Sequence, residues 1–426
     1  MNGGEFGGVF VGGTFSNRAD TAVGSVDLTI DGGSFESNAY GGSQVRYAAG
    51  KTNTVGSITV NMNAVDTVKD AFSFYAGGMA TGADAAKSSN AYEVTGDVNV
   101  NVTGGNWCND VAHGGRGIFG GIFAGDSAAS GTTGVKAEVI GSVNINIEGG
   151  TLGNVYGGGW AQKGGVSVVD SVNITVTDGE IVNIFGGGSH SATSGGTTRV
   201  ENGVNITIDG GDIVGNIYAR GHLTGDTVNG TATVTFTANA NDTYDCSVYG
   251  YSVEAASPAN TGNSYLVFED YAGSLTASIG GFDAIKFSGD AQVVFTEGLK
   301  DTDPLHPAYG PIDPAAVATV QNGVWDFDLT ERSAALASEA VLTWSGDMSG
   351  GDQVTLHFAN DATATDSWTI ATGLSAVAGA YDLRIDGGEA VTAYLDTPIT
   401  DTGTAYDGEW KLTFESNTLK FAKITA

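Results

Sequence analysis

The sequence predicts an all-β fold, a parallel β-solenoid followed by a smaller β-rich, antiparallel C-terminal cap or sandwich. A nine-residue strand phrase recurs along the first half of the chain, and an aromatic residue with glycines follows each copy. Recurrence at a regular spacing is typical of equivalent segments that stack on each other. All six prolines lie at or after Pro258, so strands before that point can pair every backbone N–H.

Each copy of the strand phrase alternates apolar and polar residues, as a half-buried strand does. Six copies read SVDLTIDGG from Ser25, SITVNMNAV from Ser57, DVNVNVTGG from Asp97, SVNINIEGG from Ser142, SVNITVTDG from Ser171 and GVNITIDGG from Gly203, and a weaker copy, TATVTFTAN, starts at Thr231. Their starts are 28 to 45 residues apart. This spacing fits coils of about 30 residues, with insertions in the longer ones.

Stacking the copies in register predicts one buried and one exposed face. The outward face, opposite the buried one, carries Asp, Thr and Asn residues. These can hydrogen-bond to the equivalent residues in the coils above and below. We predict that Ile145, Ile174 and Ile206 contact one another in sequence order. The predicted buried face consists of Val26, Leu28, Ile30, Ile58, Val60, Met62, Val98, Val100, Val102, Val143, Ile145, Ile147, Val172, Ile174, Val176, Val204, Ile206 and Ile208.

The aromatic residues that follow the strands predict a second stack. At an inter-strand spacing of ~4.8 Å their rings would lie one above the other. We expect core packing and not a ligand platform, because the spacing follows the repeat. The glycines at 157–159 and 186–188 would form the corner that follows. The predicted ladder is Phe10, Tyr40, Tyr75, Phe123, Tyr156, Phe185, Tyr218 and Tyr249.

The second part of the chain has a different composition. We predict a β-helix of about 30-residue coils over 1–297, a proline-rich loop or boundary over 298–314, and a β-rich capping region over 315–426. Short strands recur in the last region, and turn residues predict hairpins across 386–388 and 416–417. An antiparallel cap or small sandwich is the first interpretation, and a continued β-helix is the alternative.

Composition excludes several functional classes. Seventeen basic and 48 acidic residues give a formal net charge of -31, which repels nucleic acid and anionic lipid surfaces. No apolar run is long enough to span a bilayer. The sequence begins within a glycine–aromatic phrase and without a signal peptide, so we expect a fragment of a longer exported protein.

The phrase VNINIEGGTLGNVYGGG resembles the right-handed parallel β-helix passengers of autotransporter-type and related large repetitive surface proteins of Gram-negative bacteria. The resemblance covers about residues 1–283. The segments GAYDLRIDGGEAV and DGEWKLTFESNTLKFAKI are similar to the strand pairs that close such passengers. The family's membrane-embedded barrel does not follow here, so a barrel or another anchor is expected outside this chain.

The resemblance implies a secreted or cell-surface protein with a structural or adhesive role. Its expected partner is a glycan or a host or bacterial surface protein, and no cofactor is expected. Because passengers on this scaffold also include enzymes, a carbohydrate-active lyase or hydrolase is the alternative. The Thr and Asn columns also suggest an ice-binding face, although only residues 175–177 and 233–237 approach the Thr-x-Thr pattern.

A carboxylate pair is the best candidate for such an enzyme. Glu148 and Asp209 fall in one outward column two coils apart, about 9–10 Å, with Thr177 between them and Asp178 adjacent. That separation lies near the upper limit for an inverting pair. Strand ends in an acidic chain bring carboxylates together by chance, so solvated carboxylates are the favoured interpretation and no catalytic residue is predicted.

Two histidines and one tryptophan follow the glycine phrases on neighbouring coils. His190, His222 and Trp160 could line a shallow sugar contact, but no third metal ligand accompanies the histidines. We therefore predict solvated corner residues and no metal site. The two cysteines, Cys108 and Cys246, lie four coils apart in this register, about 19 Å, so we predict free thiols and no disulfide.

Overall fold

The computed structural model describes most of the chain in two compact units. The first comprises 1–233, 249–263 and 302–311, and the second comprises 234–248, 264–301 and 312–426. The described residues are 3–6, 10–17, 19–47, 51–69, 72–82, 90–107, 117–125, 134–223, 225–250, 261–276, 279–296, 324–345, 348, 353–361 and 363–424. The predicted loop at 298–314 therefore lies outside them.

The first unit is built from short and long parallel strands. Its strands are β1 (Glu5–Phe6), β2 (Phe10–Val11), β3 (Phe15–Asn17), β4 (Thr21–Asp31), β5 (Ser34–Phe35), β6 (Ala39–Tyr40), β7 (Gln44–Arg46), β8 (Asn53–Ala64), β9 (Thr67–Val68), β10 (Phe74–Tyr75), β11 (Gly78–Thr81), β12 (Asn90–Val94), β13 (Val98–Asn106), β14 (Gly117–Phe119), β15 (Ile122–Gly125), β16 (Lys136–Tyr156), β17 (Trp160–Ala161), β18 (Val166–Phe185), β19 (Ser189–His190), β20 (Thr197–Val200), β21 (Val204–Ile208), β22 (Asp212–Tyr218) and β23 (Asp226–Val228). Two strands, β24 (Ala232–Phe236) and β26 (Ser247–Tyr249), contain residues of both units.

The predicted register of the strand phrases is confirmed. The central column pairs Leu28 with Val60, and Val100 lies between Val60 and Ile145. The same column continues from Ile145 through Ile174 to Ile206. All eighteen predicted inward positions are at most 8 % exposed. The first unit therefore has a solenoid-like core of stacked apolar columns, as the period-two pattern predicts.

The predicted polar columns on the outer face are also present. Asn144 donates an amide hydrogen bond to Asn99 at 3.0 Å, and Asn173 donates to Asn144 at 2.9 Å. Asn205 extends the ladder by donating to Asn173 at 3.1 Å. A second ladder runs from Asn146 to Asn101 and Asn61. Because each amide both donates and accepts, adjacent coils are held in one register.

The second unit continues the all-β character. Its other strands are β25 (Thr243–Tyr244), β27 (Ser264–Glu269), β28 (Ala272–Leu275), β29 (Ile279–Gly280), β30 (Ala284–Ser288), β31 (Gln292–Phe295), β32 (Val324–Asp328), β33 (Leu342–Trp344), β34 (Gln353–Phe358), β35 (Ser367–Thr372), β36 (Ala380–Ile385), β37 (Val391–Tyr394), β38 (Trp410–Glu415) and β39 (Thr418–Lys423), with a 3-10 turn at Ala334–Leu336. Across both units, none of the described residues forms an α-helix, and no helix among them is long and apolar enough to cross a membrane.

Parallel pairing extends further toward the C-terminus than predicted. Strands β27, β30, β32, β34 and β36 pair in parallel, and so do β28, β31, β33 and β35. The antiparallel arrangement expected over 315–426 is therefore wrong for most of that region, and the stacked alternative describes it better. Large apolar side chains explain the difference: Trp325 stacks on Trp344, and Phe327 on Phe287, which gives these strands a core of their own.

Antiparallel pairing is confined to the last strands of the described region. The two hairpins predicted from turn residues are confirmed, since β36 pairs with β37 and β38 with β39. Asp386, Gly387, Ser416 and Asn417 all adopt positive φ at their tips, as short hairpin turns require. Strand β39 also pairs antiparallel with β35, so this hairpin is the last layer of its sheet.

Candidate functional site

The aromatic ladder packs inside the first unit. Its rings stack with centroid separations of 4.3 to 5.4 Å and interplanar angles of at most 26°. Each ring is almost fully buried, so the ladder offers no platform to a ligand, as predicted. The ladder consists of Tyr40, Tyr75, Phe119, Tyr156, Phe185, Tyr218 and Tyr249. The structure does not describe the side chain of Phe10, the first residue of the predicted ladder.

One predicted member of the ladder is wrong. Phe119 pairs with Tyr75 and Tyr156, whereas Phe123 pairs with Trp160 on the far side of the glycine corner. The coil contains two similar phrases, IFGG and IFAG, and only the first precedes two glycines that can form the corner. Phe123 instead contacts the edge of Tyr75, with ring centroids 5.2 Å apart.

The predicted carboxylate pair lies at the strand ends, but in a different register. A register shift after Ile147 places Asp178 opposite Glu148, while the Thr177 hydroxyl donates to the Ile147 carbonyl at 3.3 Å. Glu148 and Asp178 are exposed, and Asp209 is half-exposed. These side chains are therefore solvent-accessible carboxylates at strand ends, as the favoured interpretation predicts.

The two histidines are not solvated corner residues, and that prediction is wrong. His222 is 4 % exposed, and its Nδ1 lies 2.9 Å from Oγ of Ser189. Its ring meets Phe185 edge-on, at 4.9 Å between centroids. The third candidate, Trp160, is half-buried and pairs in register with Ser189. These residues come together because they pack against the aromatic ladder. The period-two alternation of the strands does not predict this packing.

A buried aspartate organises the same corner. Asp226 accepts a hydrogen bond from Thr198 Oγ1 at 2.7 Å and from the Leu223 amide at 2.9 Å. Its Oδ1 also lies 2.9 Å from Nδ1 of His190. Burial raises the pKa of the Asp226 carboxyl, and the contact with His190 acts in the opposite direction. The groups satisfy one another, which identifies a structural polar cluster.

Oγ of Ser189 lies against one histidine and Oδ1 of Asp226 against the other, at 2.9 Å from Nδ1 of His222 and 2.9 Å from Nδ1 of His190 respectively. Ser189 is also completely buried. A nucleophile without access to solvent cannot meet a polymeric substrate.

The second unit carries an open groove on the outer face of β28, β31 and β33. Its volume is about 490 Å³. Ser274, Val294 and Thr343 form its floor in register. The remaining lining residues are Asp242, Ala272, Gly273, Gln292, Glu339 and Ala340. The described structure gives no hydrogen-bond partner to the side chains of Gln292 and Glu339, so both can bind a ligand.

A further polar group joins β12 to β16 in the first unit. We call Asn90, Glu93, Lys136 and Glu138 the Lys136 cluster. Asn90 and Lys136 are opposite each other on the two strands, and so are Glu93 and Glu138. The cluster is half-buried and its members hydrogen-bond to one another.

Sequence reasoning missed three of these features. Asp226 and the Lys136 cluster lie outside the copies of the nine-residue phrase. A buried amide ladder from Asn154 to Asn183 was also missed, with a hydrogen bond of 2.9 Å. The recurring Asn two residues before the ladder aromatic was a usable signal for it. Cys246 is buried and Cys108 lies outside the described residues, so the absence of a disulfide between them stays a prediction.

Within the described ranges, no three His, Cys, Asp or Glu side chains come together as a metal site. Comparison of the chain with protein-family models, curated protein sequences and solved structures finds no match.

Proposed function

We propose that this chain is a right-handed parallel β-helix of a secreted or cell-surface protein, which binds a glycan in the groove of the second unit. Its role is structural and adhesive, on a Gram-negative surface by the sequence resemblance. Right-handed crossovers between parallel strands are strongly favoured, which supports the handedness. The open groove on the outer face of β28, β31 and β33 is the observation that supports the proposed binding role.

The chemistry of the groove suits a neutral or amine-bearing saccharide. Gln292 supplies amide donors and an acceptor, and the carboxylates of Asp242 and Glu339 accept hydrogen bonds from sugar hydroxyls. Small residues on the floor let a flat ring approach the sheet. Among the residues that the structure describes, no basic side chain lines the groove, so an acidic polysaccharide would leave unpaired charges and fits poorly.

The repeat itself supports a scaffold role. Its aromatic rings stack on one another and its asparagine amides hydrogen-bond to the equivalent amides of neighbouring coils, so the repeated side chains hold adjacent coils together. A host or bacterial surface protein remains a partner class that binding experiments can separate from a glycan. The exposed pair Glu148 and Asp178 does not line the groove of the second unit, which gives the enzyme alternative less support there.

A glycan array with the full chain tests the proposal. We expect binding to neutral or amino-sugar glycans, with at least a tenfold loss in a Gln292→Ala/Glu339→Ala double variant. Glu331→Ala is the matched control, since Glu331 is an exposed carboxylate of the same unit outside the groove. Unchanged binding in the double variant would reject the groove. Release of saccharide fragments that is lost in Glu148→Gln would favour the enzyme alternative.

A further inference from the structure

The Lys136 cluster brings a primary amine, a carboxamide and a carboxylate together between two coils. A register irregularity between Asn90 and Tyr92 breaks the alternation of β12. Consequently Asn90 and Glu93, three residues apart, both point to the side of the sheet where Lys136 and Glu138 lie. A regular strand would have placed the amide of Asn90 on the opposite face.

One carboxylate oxygen connects the two nitrogen atoms. Lys136 Nζ donates to Oε2 of Glu138 at 2.8 Å, and Asn90 Nδ2 donates to the same oxygen at 2.7 Å. The second amide hydrogen of Asn90 goes to Oε1 of Glu93 at 2.6 Å. The amide is therefore held by two carboxylates from neighbouring coils, and its nitrogen shares an acceptor oxygen with the amine of Lys136, its register partner.

The other end of the same amide is unsatisfied. Oδ1 of Asn90 is buried and has no hydrogen-bond partner among the residues that the structure describes. A buried carbonyl oxygen without a donor loses its hydrogen bonds to water and gains none in return, so it requires an explanation. The two carboxylates account for it, because both accept from the amide nitrogen and so fix the orientation of the amide plane.

We propose that Lys136 and Asn90 condense into an amide crosslink between the two coils, with Glu138 as the proton carrier. Glu138 takes a proton from Nζ, and the neutral amine attacks Cγ of Asn90. The Nζ–Cγ bond forms, Glu138 returns the proton to Nδ2, and the Cγ–Nδ2 bond breaks. The second Nζ proton leaves with the released ammonia as an ammonium ion, so the new amide nitrogen keeps one hydrogen and Glu138 is again a carboxylate. Atoms and charge balance without an oxidant or another co-reactant.

The ionisation of Glu138 agrees with this role. Burial raises its pKa, but hydrogen bonds from Lys136 and Asn90 outweigh burial and hold the pKa below 4.5. The carboxylate is therefore ionised and in hydrogen-bond contact with the amine whose proton it takes. A single turnover per molecule completes the crosslink.

Denaturing mass spectrometry of the full chain, before and after prolonged incubation at alkaline pH, tests the proposal. We expect a mass lower by one ammonia, and a branched tryptic peptide that joins the segments containing Asn90 and Lys136. The fraction crosslinked should rise faster at higher pH, since the neutral amine is the reacting form.

Three variants separate the crosslink from other ammonia losses. Lys136→Arg keeps the cation but lacks the amine, and Glu138→Gln lacks the proton acceptor, so both should keep the full mass. Lys69→Arg is the control, because Lys69 pairs with Glu36 at 3.8 Å and should retain the mass deficit. A deficit that persists in Lys136→Arg indicates cyclisation of an asparagine, and it overturns the proposal. The full mass in the incubated wild-type chain also overturns it.

Discussion

Ile145 lies directly opposite Ile174 on the neighbouring strand, and both side chains are buried in the first unit. A charge at this position would have no partner in an apolar column. We expect Ile174→Asp to cost at least about 4 kcal/mol in the free energy of unfolding and to unfold the neighbouring coils. Urea denaturation followed by circular dichroism measures the loss.

Asn173→Asp is the matched control on the other face of the same strand. The variant keeps the acceptor for Asn205 but loses the hydrogen bond to Asn144, which costs about 1 kcal/mol. Equal losses in the two variants would contradict the inward and outward assignment.

The aromatic ladder makes a prediction that distinguishes two phenylalanines. Phe119 stacks between Tyr75 and Tyr156, whose ring centroids lie 4.9 and 4.3 Å away. We expect Phe119→Ala to destabilise the first unit by about 3–5 kcal/mol, because it removes buried area and leaves a cavity. Phe119→Leu should recover part of that loss. A larger loss of unfolding free energy in Phe123→Ala than in Phe119→Ala would contradict this register and favour the one expected from sequence, in which Phe123 belongs to the ladder.

The glycine corner leaves no room for a methyl group at Gly158. A Cβ there would lie 2.6 Å from the backbone nitrogen of Gly188 on the next coil. Since backbone cannot move aside as a side chain does, we expect Gly158→Ala to lower the free energy of unfolding by about 1–3 kcal/mol. Gly24→Ala has open space around it and serves as the control. Thermal unfolding monitored by calorimetry compares them.

An ion pair makes the second unit sensitive to pH. Nε2 of His357 lies 2.9 Å from Oδ1 of Asp326, and this contact raises the pKa of His357 above 6.5, while partial burial opposes it. The folded unit therefore binds the proton more tightly than the unfolded chain. The stabilisation is complete below about pH 6.5 and is lost as the pH rises through the folded pKa.

Hydrogen exchange of β32 and β34 at about pH 6 and about pH 8.5 measures this effect. We expect faster exchange at the higher pH after correction for the intrinsic rate, and a smaller difference in Asp326→Asn. If the difference in exchange rate between the two pH values is the same in Asp326→Asn as in the wild-type chain, other groups cause the pH dependence.

How far the sequence predicts the fold depends on whether a residue's environment repeats. Ile145, Ile174 and Ile206 share one environment, so their burial and pairing follow from period two alone. Phe119 and Phe123 lie in a coil with a duplicated phrase, and only the stacked backbone shows which of them joins the ladder. Parallel pairing of the strand around Trp325 was only the alternative interpretation, because that strand has no copy of the recurring phrase.

The candidate sites were harder to predict for a related reason. The groove with Gln292 and Glu339 joins residues from different strands that share no motif. The Lys136 cluster depends on one register irregularity next to Asn90, and an irregularity of this kind leaves no periodic signal. His222 was expected in solvent because its contacts with Ser189 and Phe185 arise only from stacking.

In the stacked columns, the pairing of residues does not depend on the length of chain that connects them. Val100 and Ile145 are neighbours across 45 residues, while Ile145 and Ile174 are neighbours across 29. The paired positions therefore set the register of the coils, whereas the number of residues between them can change. Because closing a longer loop costs little extra entropy, the connections should accept foreign peptides and make this chain a carrier for displayed epitopes.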